Sequence, residues 1–480
     1  MDFKKYKSIL SYIKDVISGT EFESHVYAVG GCVRDEILGN EIKDIDMVVD
    51  LERGGIRLAE MLQDKKLLLH EPVIYETYGT VMLRLKEFPD DEIECVHTRK
   101  EQYHDKNSRN PETAYGTLDE DCMRRDLTIN ALYRNVTTDE VIDPCGMGMR
   151  DIKDKIIEVT STPDIVYEDD PLRIMRAVRF CCKMGQGWNM DSKTYDGLIK
   201  HANRLEIITK ERIQDELNKI LLTGDYGRGI IMLKRIGAMK YVIPELEQTY
   251  DMKQNGYHFG TVWEHTLSVL SKADCVGLSQ ENTLILRLAA ILHDIGKIET
   301  YSEKDGVVHF YRHEVESGRL VDVIMRRLKY SNDMISAVRF LCERHMDTKP
   351  WGDDLKGFRN DRRRNCSIRK LQYKCKNQEK FDMLLRLIDA DNNSHAQEHC
   401  LPNQVRNIRT ISEDMKKFGT DMFGYKLPVD GNDIMEYKNL KPGPDVRKYM
   451  NFILKECYAN PLISKSDALR TIKNLKVEQT

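Results

Sequence analysis

The chain has 480 residues, of which 41% are hydrophobic and 32% are charged, and its formal net charge is -4 at pH 7. This composition is typical of a globular protein and excludes a disordered chain, and the length suggests roughly three domains. No run of about 18 apolar residues occurs, so we expect no membrane span and no membrane partner. The first residues lack the apolar stretch of a secretory signal, which predicts a cytoplasmic protein. The twelve cysteines form no C-x-x-C pair and are expected to be reduced thiols.

The predicted elements change character along the chain. Short β-branched runs at residues 26–29 and 45–49 alternate with helical patterns, which predicts a mixed α/β region. From Lys153 onward the apolar residues recur with helical spacing and little strand signal, and a break falls at Asn255-Gly256. The predicted regions are an α/β head at 1–150, a helical region at 151–255, a second helical domain at 256–400 and a helical tail at 401–480.

A glycine turn begins the most informative segment. A predicted strand ends at Gly30-Gly31 and runs directly into a helix that carries Arg34, so free backbone N–H groups and a guanidinium meet at one point. Such a point suits a phosphate group, because helix N-termini and cationic side chains both attract anions. Gly39 is predicted to end this helix.

Asp44 and Asp46 flank one apolar residue at the start of the next predicted strand. Because side chains alternate along a strand, both carboxylates point to the same face. Two like charges this close cost free energy unless a cation lies between them, and magnesium is the usual divalent cation. Two metal ions there would activate a hydroxyl and stabilise the pyrophosphate that leaves a nucleoside triphosphate. An exposed strand edge is the alternative interpretation of the pair.

The glycine turn, the Arg-Asp pair after it and the Asp-x-Asp strand together resemble the polymerase-β-type nucleotidyltransferase superfamily. The resemblance implies a nucleotidyltransferase head with a magnesium site at the acidic pair and a nucleotide site at the turn. The implied residues are Asp44 and Asp46 for catalysis and metal binding, and Gly30, Gly31 and Arg34 for nucleotide binding. A third carboxylate is common in this superfamily, and Glu94 on a later predicted strand is the nearest candidate, unless it is an ordinary strand residue.

The segment at 124–131, Arg-Arg-Asp-Leu-Thr-Ile-Asn-Ala, resembles the R-R-D-F-T-x-N-A motif of bacterial CCA-adding enzymes and poly(A) polymerases, with Leu127 replacing Phe. The resemblance implies that Arg125, Asp126 and Asn130 contact the triphosphate and the ribose. An amphipathic helix with a charged start is the alternative. The segment at 143–152 resembles the hinge stretch of the same family, and its glycines would permit bending.

Asp170, Arg173, Arg176 and Arg179 follow one another at steps of three, which on a helix would form one polar stripe. Cytosine and adenine both present an amine donor beside a ring-nitrogen acceptor, and a carboxylate beside a guanidinium complements that pair. Asp170 would accept from the amine and Arg173 would donate to the ring nitrogen, so that GTP and UTP would be rejected. The alternative is a helix stabilised by ion pairs three residues apart.

The same segment resembles the E-D-x-x-R template motif of class II CCA-adding enzymes, although Asp169 replaces the Glu. By that resemblance Arg176 and Arg179 hold the triphosphate, and region 151–255 is the helical neck and body that binds tRNA. The later segment at 211–221 continues the family pattern, with a structural role expected.

Metal-ligating side chains follow in the order H…HD…D in the second helical domain. The order resembles the HD phosphohydrolase superfamily, and specifically the HD domain attached to some bacterial CCA-adding enzymes. The resemblance implies a divalent metal (Mg²⁺, Mn²⁺ or a transition metal) and hydrolysis of phosphomonoesters or cyclic phosphodiesters. The predicted ligands are His265, His293, Asp294, His313, His345 and Asp391, with Asp389 as the alternative to Asp391.

Basic residues outnumber acids between Lys349 and Lys380. The excess indicates either a contact with an RNA backbone or a solvated loop and helix face, and the sequence leaves both open. The basic residues between those limits are Lys356, Arg359, Arg362, Arg363, Arg364, Arg369, Lys370, Lys374 and Lys376.

The sequence thus predicts an α+β fold with a polymerase-β-like nucleotidyltransferase head, an all-α neck and body and an α-helical HD domain. The resemblances imply a class II CCA-adding tRNA nucleotidyltransferase with tRNA, CTP and ATP as partners and no obligatory protein partner. One alternative is a relative that adds only CC, only A or poly(A). Another is a nucleotide- or RNA-sensing HD phosphohydrolase whose head is not catalytic.

Overall fold

The computed structural model describes residues 1–76, 79–102, 112–256 and 260–475. The chain divides into two compact units, Met1–Val242 and Ile243–Thr480. All twelve cysteines are free thiols, which confirms that prediction. Across the described residues, no helix has the length and apolar character that crossing a membrane would require. The domain limits predicted at residues 150, 255 and 400 stay predictions.

The first unit is built on a mixed β-sheet. Its strands are β1 (Val26–Val29), β2 (Ile45–Val49), β3 (Val73–Tyr75), β4 (Thr80–Leu83), β5 (Ile93–His97), β6 (Arg99–Gln102), β7 (Glu112–Tyr115), β8 (Tyr133–Asn135), β9 (Val141–Ile142), β10 (Ile156–Ile157) and β11 (Asn189–Met190). Seven of them form one sheet in the order β3-β4-β5-β2-β1-β8-β9, in which β2 and β5 are parallel. This sheet confirms the predicted α/β head.

The remaining strands of this unit form two small pairs, β6 with β7 and β10 with β11. The β10–β11 pair corrects the expectation that little strand structure follows Lys153. Its strands have two residues each, which is too short for an alternating pattern to be detected in the sequence.

Helices cover the sheet and form the rest of the first unit. They are α1 (Phe3–Ile17), α2 (Gly31–Leu38), α3 (Gly54–Asp64), α4 (Leu118–Met123), α5 (Gly148–Asp154), α6 (Pro163–Asp169), α7 (Leu172–Met184), α8 (Ser192–His201), α9 (Lys210–Leu221), α10 (Tyr226–Arg235) and α11 (Met239–Val242). Gly39 ends α2 in the left-handed conformation, as its sequence position predicts. The apolar face of α7, with Met175 and Val178 fully buried, packs against α9 and α10.

The second unit is almost entirely helical. Its helices are α12 (Val262–Lys272), α13 (Gln280–Leu292), α14 (Lys297–Thr300), α15 (His313–Arg327), α16 (Asn332–Arg344), α17 (Asp361–Cys375), α18 (Gln378–Asn392), α19 (Gln404–Lys417), α20 (Gly431–Lys438), α21 (Pro444–Ala459) and α22 (Lys465–Thr471), and its strands are β12 (Tyr301–Lys304) and β13 (Val307–Phe310). The β12–β13 hairpin is a short exception within this helical unit, which agrees with the predicted helical character. Helix α13 ends at Leu292, so His293 caps the helix and Asp294 follows in a turn.

Candidate active site and candidate metal centre

A cavity of about 780 Å³ in the first unit gathers the residues that the sequence singled out there. Its lining comes from the turn before α2, the start of β2, the segment after α4 and one face of α7. The predicted residues that line it are Gly30, Gly31, Arg34, Asp44, Asp46, Arg125, Asp126, Asn130, Asp170, Arg173, Arg176 and Arg179. The structure therefore brings these twelve predicted head residues to one open cavity.

The acidic end of the cavity lies on two parallel strands. Asp46 on β2 is directly opposite Glu94 on β5, and Asp44 immediately precedes β2. Burial first, and then the neighbouring carboxylates of Glu94 and Asp44, raise the pKa of Asp46 to about 6 against the lowering effect of Arg125. Three acids this close are an arrangement that a divalent cation would stabilise.

Arg125 is fixed in place by a buried carboxylate. Its guanidinium donates to Asp121 Oδ2 at 2.9 and 3.1 Å, and the Tyr133 hydroxyl donates to the same oxygen at 2.7 Å. Burial would raise the pKa of Asp121, but Arg125 and Arg124 together hold it well below its ordinary value. The guanidinium is thus preorganised at the edge of the cavity, next to the glycine turn.

A chain of hydrogen bonds connects α2 to α7 across the cavity wall. Arg34 donates to both Asp35 oxygens, at 2.9 and 2.7 Å, and to the side-chain oxygen of Asn130. Asn130 donates to Asp126 at 3.1 Å, and Arg176 donates to the other Asp126 oxygen at 2.8 Å. Although burial raises the pKa of Asp126, Arg176 and Asn130 lower it to about 2. Four of the predicted nucleotide-binding residues are therefore coupled in one network.

Asp170 does not lie on the helix that carries the three arginines, which corrects the predicted single stripe. It caps the end of α6 in an extended conformation, and its carboxylate accepts from the Leu172 N–H at 3.1 Å. Arg212 donates to the same carboxylate at 2.8 Å. Arg173 begins α7 and donates to the Arg124 carbonyl at 2.7 Å. Asp170 and Arg173 still line one cavity, because α6 and α7 meet at that turn.

Sequence reasoning missed several residues of this cavity. Arg212 lies in the segment at 211–221, for which only a structural role was expected, and its position in that family-like segment was the available signal. Arg179 donates to Glu216 of the same segment at 2.7 Å. The missed lining residues are Arg99, Glu101, Thr113, Arg124, Leu172, Phe180, Lys183 and Arg212.

Four buried histidines of the second unit share one hydrogen-bonding arrangement. Each Nδ1 faces a backbone carbonyl, and because a carbonyl can only accept, each Nδ1 carries a proton and each Nε2 points toward the other histidines of the group. The pairs are His265 with Ser394 at 3.2 Å, His293 with Ala290 at 2.9 Å, His313 with Phe310 at 2.9 Å and His345 with Cys342 at 2.7 Å. Hydrogen bonds from Nδ1 to a carbonyl orient histidines toward metals.

The Nε2 atoms meet in two pairs around Asp294. His265 and His293 approach to 3.4 Å, and His313 and His345 to 3.3 Å. One Asp294 oxygen lies 3.5 Å from His265 and the other lies 3.1 Å from His313, so the carboxylate lies between the pairs. Lone pairs that face each other at such distances repel unless a cation lies between them. The two groups thus fit two metal ions bridged by Asp294.

Asp391, and not Asp389, joins this centre. Asp391 lies 3.1 Å from His265 Nε2 and is buried, whereas Asp389 accepts a hydrogen bond from Asn393 at 3.2 Å. Lys349 also approaches Asp391, at 3.0 Å, and so belongs to the metal centre rather than to an exposed basic surface. Burial, His293 and His313 together lower the pKa of His345 to about 3, which keeps the ring neutral.

Gly296 permits the close packing that completes the centre. A Cβ at this position would lie 2.3 Å from the His313 carbonyl oxygen and 2.4 Å from the Ser317 nitrogen, and both atoms belong to the backbone of α15. Any larger residue would push α15 away from the turn after α13. The glycine therefore holds His313 close to Asp294.

The basic segment at 349–380 does not form one surface. Arg369 is buried and donates to the carbonyls of Thr420 and Tyr458, at 2.8 and 3.1 Å, so its role is structural. Lys374 donates to Asp347 at 2.9 Å. The exposed basic residues of the segment are Lys356, Arg359, Arg362, Arg363, Lys370 and Lys376.

Three family descriptions match the chain. Residues 26–158 match the poly A polymerase head domain, residues 187–249 the probable RNA and SrmB-binding site of polymerase A, and residues 262–393 the HD domain. The first match includes the glycine turn and the acidic strands, and the third includes the histidine and aspartate cluster. The cavity residues from Asp170 to Lys183 lie between the first two matches.

Individual proteins and solved structures are also similar to this chain. A multifunctional CCA protein of Herminiimonas arsenicoxydans is 31% identical over 318 residues, which are 64% of this chain and 70% of that protein. An A-adding tRNA nucleotidyltransferase of Deinococcus radiodurans is 30% identical over 254 residues, 52% of this chain and 56% of that protein. The fold is similar to that of the Bacillus stearothermophilus CCA-adding enzyme in complex with CTP, with a TM-score of 0.64 at 17% identity over 98% of this chain and 97% of that one.

Proposed function

Because this chain belongs to the poly(A) polymerase/tRNA nucleotidyltransferase family, together with the HD-containing CCA-adding enzymes, we propose that it adds CCA to the 3′ end of tRNA. CMP and AMP would be transferred from CTP and ATP, with release of pyrophosphate, in the cytoplasm. One observation carries the proposal: the Asp44 and Asp46 pair lines the same cavity as Asp170 and Arg173. Groups suited to phosphoryl transfer and groups suited to base selection therefore face one open cavity.

We propose that Asp44, Asp46 and Glu94 hold magnesium in this cavity. The fit rests on the opposition of Asp46 and Glu94 on parallel strands and on the raised pKa of Asp46, both of which a divalent cation would relieve. When bound, magnesium supplies Lewis-acid stabilisation of the attacking hydroxyl and of the pyrophosphate. The protein itself holds the acids on the rigid sheet and the arginines of α7 on the opposite wall, where the charge of a triphosphate would lie.

Base selection follows from the anchoring of Asp170. The Leu172 N–H and Arg212 fix its carboxylate, so it can accept a hydrogen bond from an exocyclic amine without reorienting. Arg173 can donate to the adjacent ring nitrogen. Uracil and guanine would present a carbonyl to the carboxylate instead, and that mismatch would leave polar groups unpaired.

The HD domain would act separately as a metal-dependent phosphohydrolase. Four imidazoles and two carboxylates form its centre, and this donor set suits a divalent transition metal as well as Mn²⁺ or Mg²⁺. The chain contributes the ligand geometry and two lysines, Lys297 at 2.7 Å from Asp294 and Lys349 at 3.0 Å from Asp391. Phosphomonoesters or cyclic phosphodiesters are the proposed substrates.

A-only addition is the second candidate, because the Deinococcus radiodurans relative is an A-adding enzyme. Purified protein should be incubated with tRNAs that lack one, two or three 3′ nucleotides and with each triphosphate singly. Full CCA addition predicts CMP incorporation on the two shorter tRNAs and AMP incorporation only after CC. AMP incorporation alone would favour the second candidate. Incorporation of neither nucleotide would overturn both and favour a sensing protein with a non-catalytic head.

A further inference from the structure

Each arginine of the head cavity already lies beside a carboxylate of the folded protein. Eight arginines line it, and each has a carboxylate oxygen within 4.0 Å. Arg176, for example, lies 2.6 Å from Asp126, and Arg179 lies 2.7 Å from Glu216. An incoming polyanion must therefore share these guanidinium groups with protein carboxylates.

Lys183 differs from those arginines. It is the one lysine among the described residues that line the cavity, and it occupies the last turn of α7, one turn after Arg179. Its ammonium lies 4.0 Å from Asp35 Oδ2, but that oxygen already accepts from Arg34 at 2.7 Å. Within the described part of the chain Lys183 donates no hydrogen bond, and its side chain is 36% exposed.

The surroundings of Lys183 are mostly cationic. Three cations lie near its ammonium: Arg34 from α2, Arg179 from α7 and Lys43 from the segment before β2. The opposing carboxylate is Asp35. Burial and then Arg34 lower its pKa to about 8. A positive charge held among other positive charges is unfavourable in the free protein, and an anion bound beside it would remove that cost.

We propose, on the basis of the nucleotidyltransferase function above, that Lys183 binds the triphosphate of the incoming nucleotide with an ammonium group that donates no hydrogen bond within the described part of the chain. The proposal extends the basic face of α7 by one turn beyond the residues that the sequence motif indicates. It assigns the β- and γ-phosphates, rather than the base, as the groups that Lys183 contacts.

Equilibrium binding of CTP and CMP in the presence of magnesium, without tRNA, tests the assignment. Lys183→Gln should weaken CTP binding about tenfold, because a charge-assisted contact to phosphate is lost, and should change CMP binding by less than about twofold. Lys200→Gln is the matched control, since Lys200 pairs with the exposed Asp164 on the surface. Equal losses for CTP and CMP, or no loss for CTP, would overturn the proposal.

The pH dependence of binding gives an independent readout. Since the pKa of Lys183 in the free protein is about 8, its charge is present at pH 7 and lost as the pH rises to 9. Wild-type CTP affinity should therefore fall between pH 7 and pH 9. Lys183→Arg should retain the affinity at pH 7 and show a flatter profile, because an arginine stays charged. An unchanged profile in this variant would contradict the assignment.

Because binding is measured without transfer, the two hypotheses fail in different ways. Loss of CTP affinity in Lys183→Gln supports the lysine assignment even if no tRNA substrate is extended. Normal CMP and AMP incorporation with unaltered CTP affinity in the variant would leave the proposed function intact and remove Lys183 from the site.

Discussion

The head cavity and the HD metal centre both collect carboxylates, but the two regions neutralise them differently. In the head, arginines such as Arg176 and Arg212 pair with Asp126 and Asp170 around a cavity of about 780 Å³. In the HD centre, histidine nitrogens surround the fully buried Asp294 at 3.1 to 3.7 Å. Guanidinium groups suit exchangeable polyanions, whereas converging imidazoles suit tightly held cations. The comparison indicates a nucleotide that comes and goes in one region and ions that remain in the other.

The largest expected effect separates the two regions directly. Asp46→Asn should lower CMP and AMP incorporation by on the order of a thousandfold, because it removes one carboxylate of the proposed magnesium site. Hydrolysis of a generic phosphomonoester by the HD domain should stay within about twofold of the wild type. Incorporation from labelled CTP and ATP and phosphate release are the measurements. Undiminished incorporation would refute the head assignment.

The reciprocal change addresses the HD centre. Asp294→Asn should lower the affinity of this centre for a divalent metal by about 10- to 100-fold, because Asp294 contacts both histidine pairs. The loss is measured as a lower metal content in elemental analysis. Phosphate release should fall with the metal content, and tRNA extension should persist. Asp389→Asn is the matched control, since Asp389 lies on the same helix as Asp391 but outside the centre. Equal metal loss in both variants would argue against the bridging role.

The sequence was most informative where the chemistry is local. The Gly30-Gly31 turn and the Asp44 and Asp46 pair each occupy a few consecutive residues, so their geometry follows from strand and helix periodicity alone. The six predicted HD ligands could likewise be selected by residue type. Only the choice between Asp391 and Asp389 needed the structure, because both are aspartates two residues apart on α18 and residue type does not distinguish them.

The pairing of distant charges could not be predicted in the same way. Arg212 lies 42 residues from Asp170, and no periodicity relates an arginine on α9 to the turn before α7. The predicted start of α7 was also wrong. Asp170 was expected on α7, but Pro171 and the Asp170 carboxylate start the helix at Leu172 instead. Such contacts depend on how helices pack, which single-sequence patterns do not encode.

A smaller effect is expected for selectivity within the head. Asp170→Asn should raise UMP relative to CMP incorporation by about 10- to 100-fold, because an amide can donate to a carbonyl that the carboxylate would reject. Arg212→Gln should also raise the ratio of UMP to CMP incorporation, but by less, since the Asp170 carboxylate remains and loses only one hydrogen-bond donor. Ratios of kcat/KM for CTP and UTP on a tRNA that lacks CCA measure both. An unchanged ratio in Asp170→Asn would show that selection lies elsewhere in the cavity.

The smallest effect concerns the basic segment, where an arginine is satisfied by carbonyls instead of carboxylates. Arg369→Met should lower the free energy of unfolding by about 2 kcal/mol, because the carbonyls of Thr420 and Tyr458 lose a charged donor in a buried position. Arg363→Met on the same helix should change it by less than about 0.5 kcal/mol, since Arg363 is exposed. Denaturant unfolding measures both. If Arg363→Met also weakens tRNA binding and reduces its salt dependence, the exposed part of α17 contacts RNA, whereas unchanged binding identifies it as a solvated face.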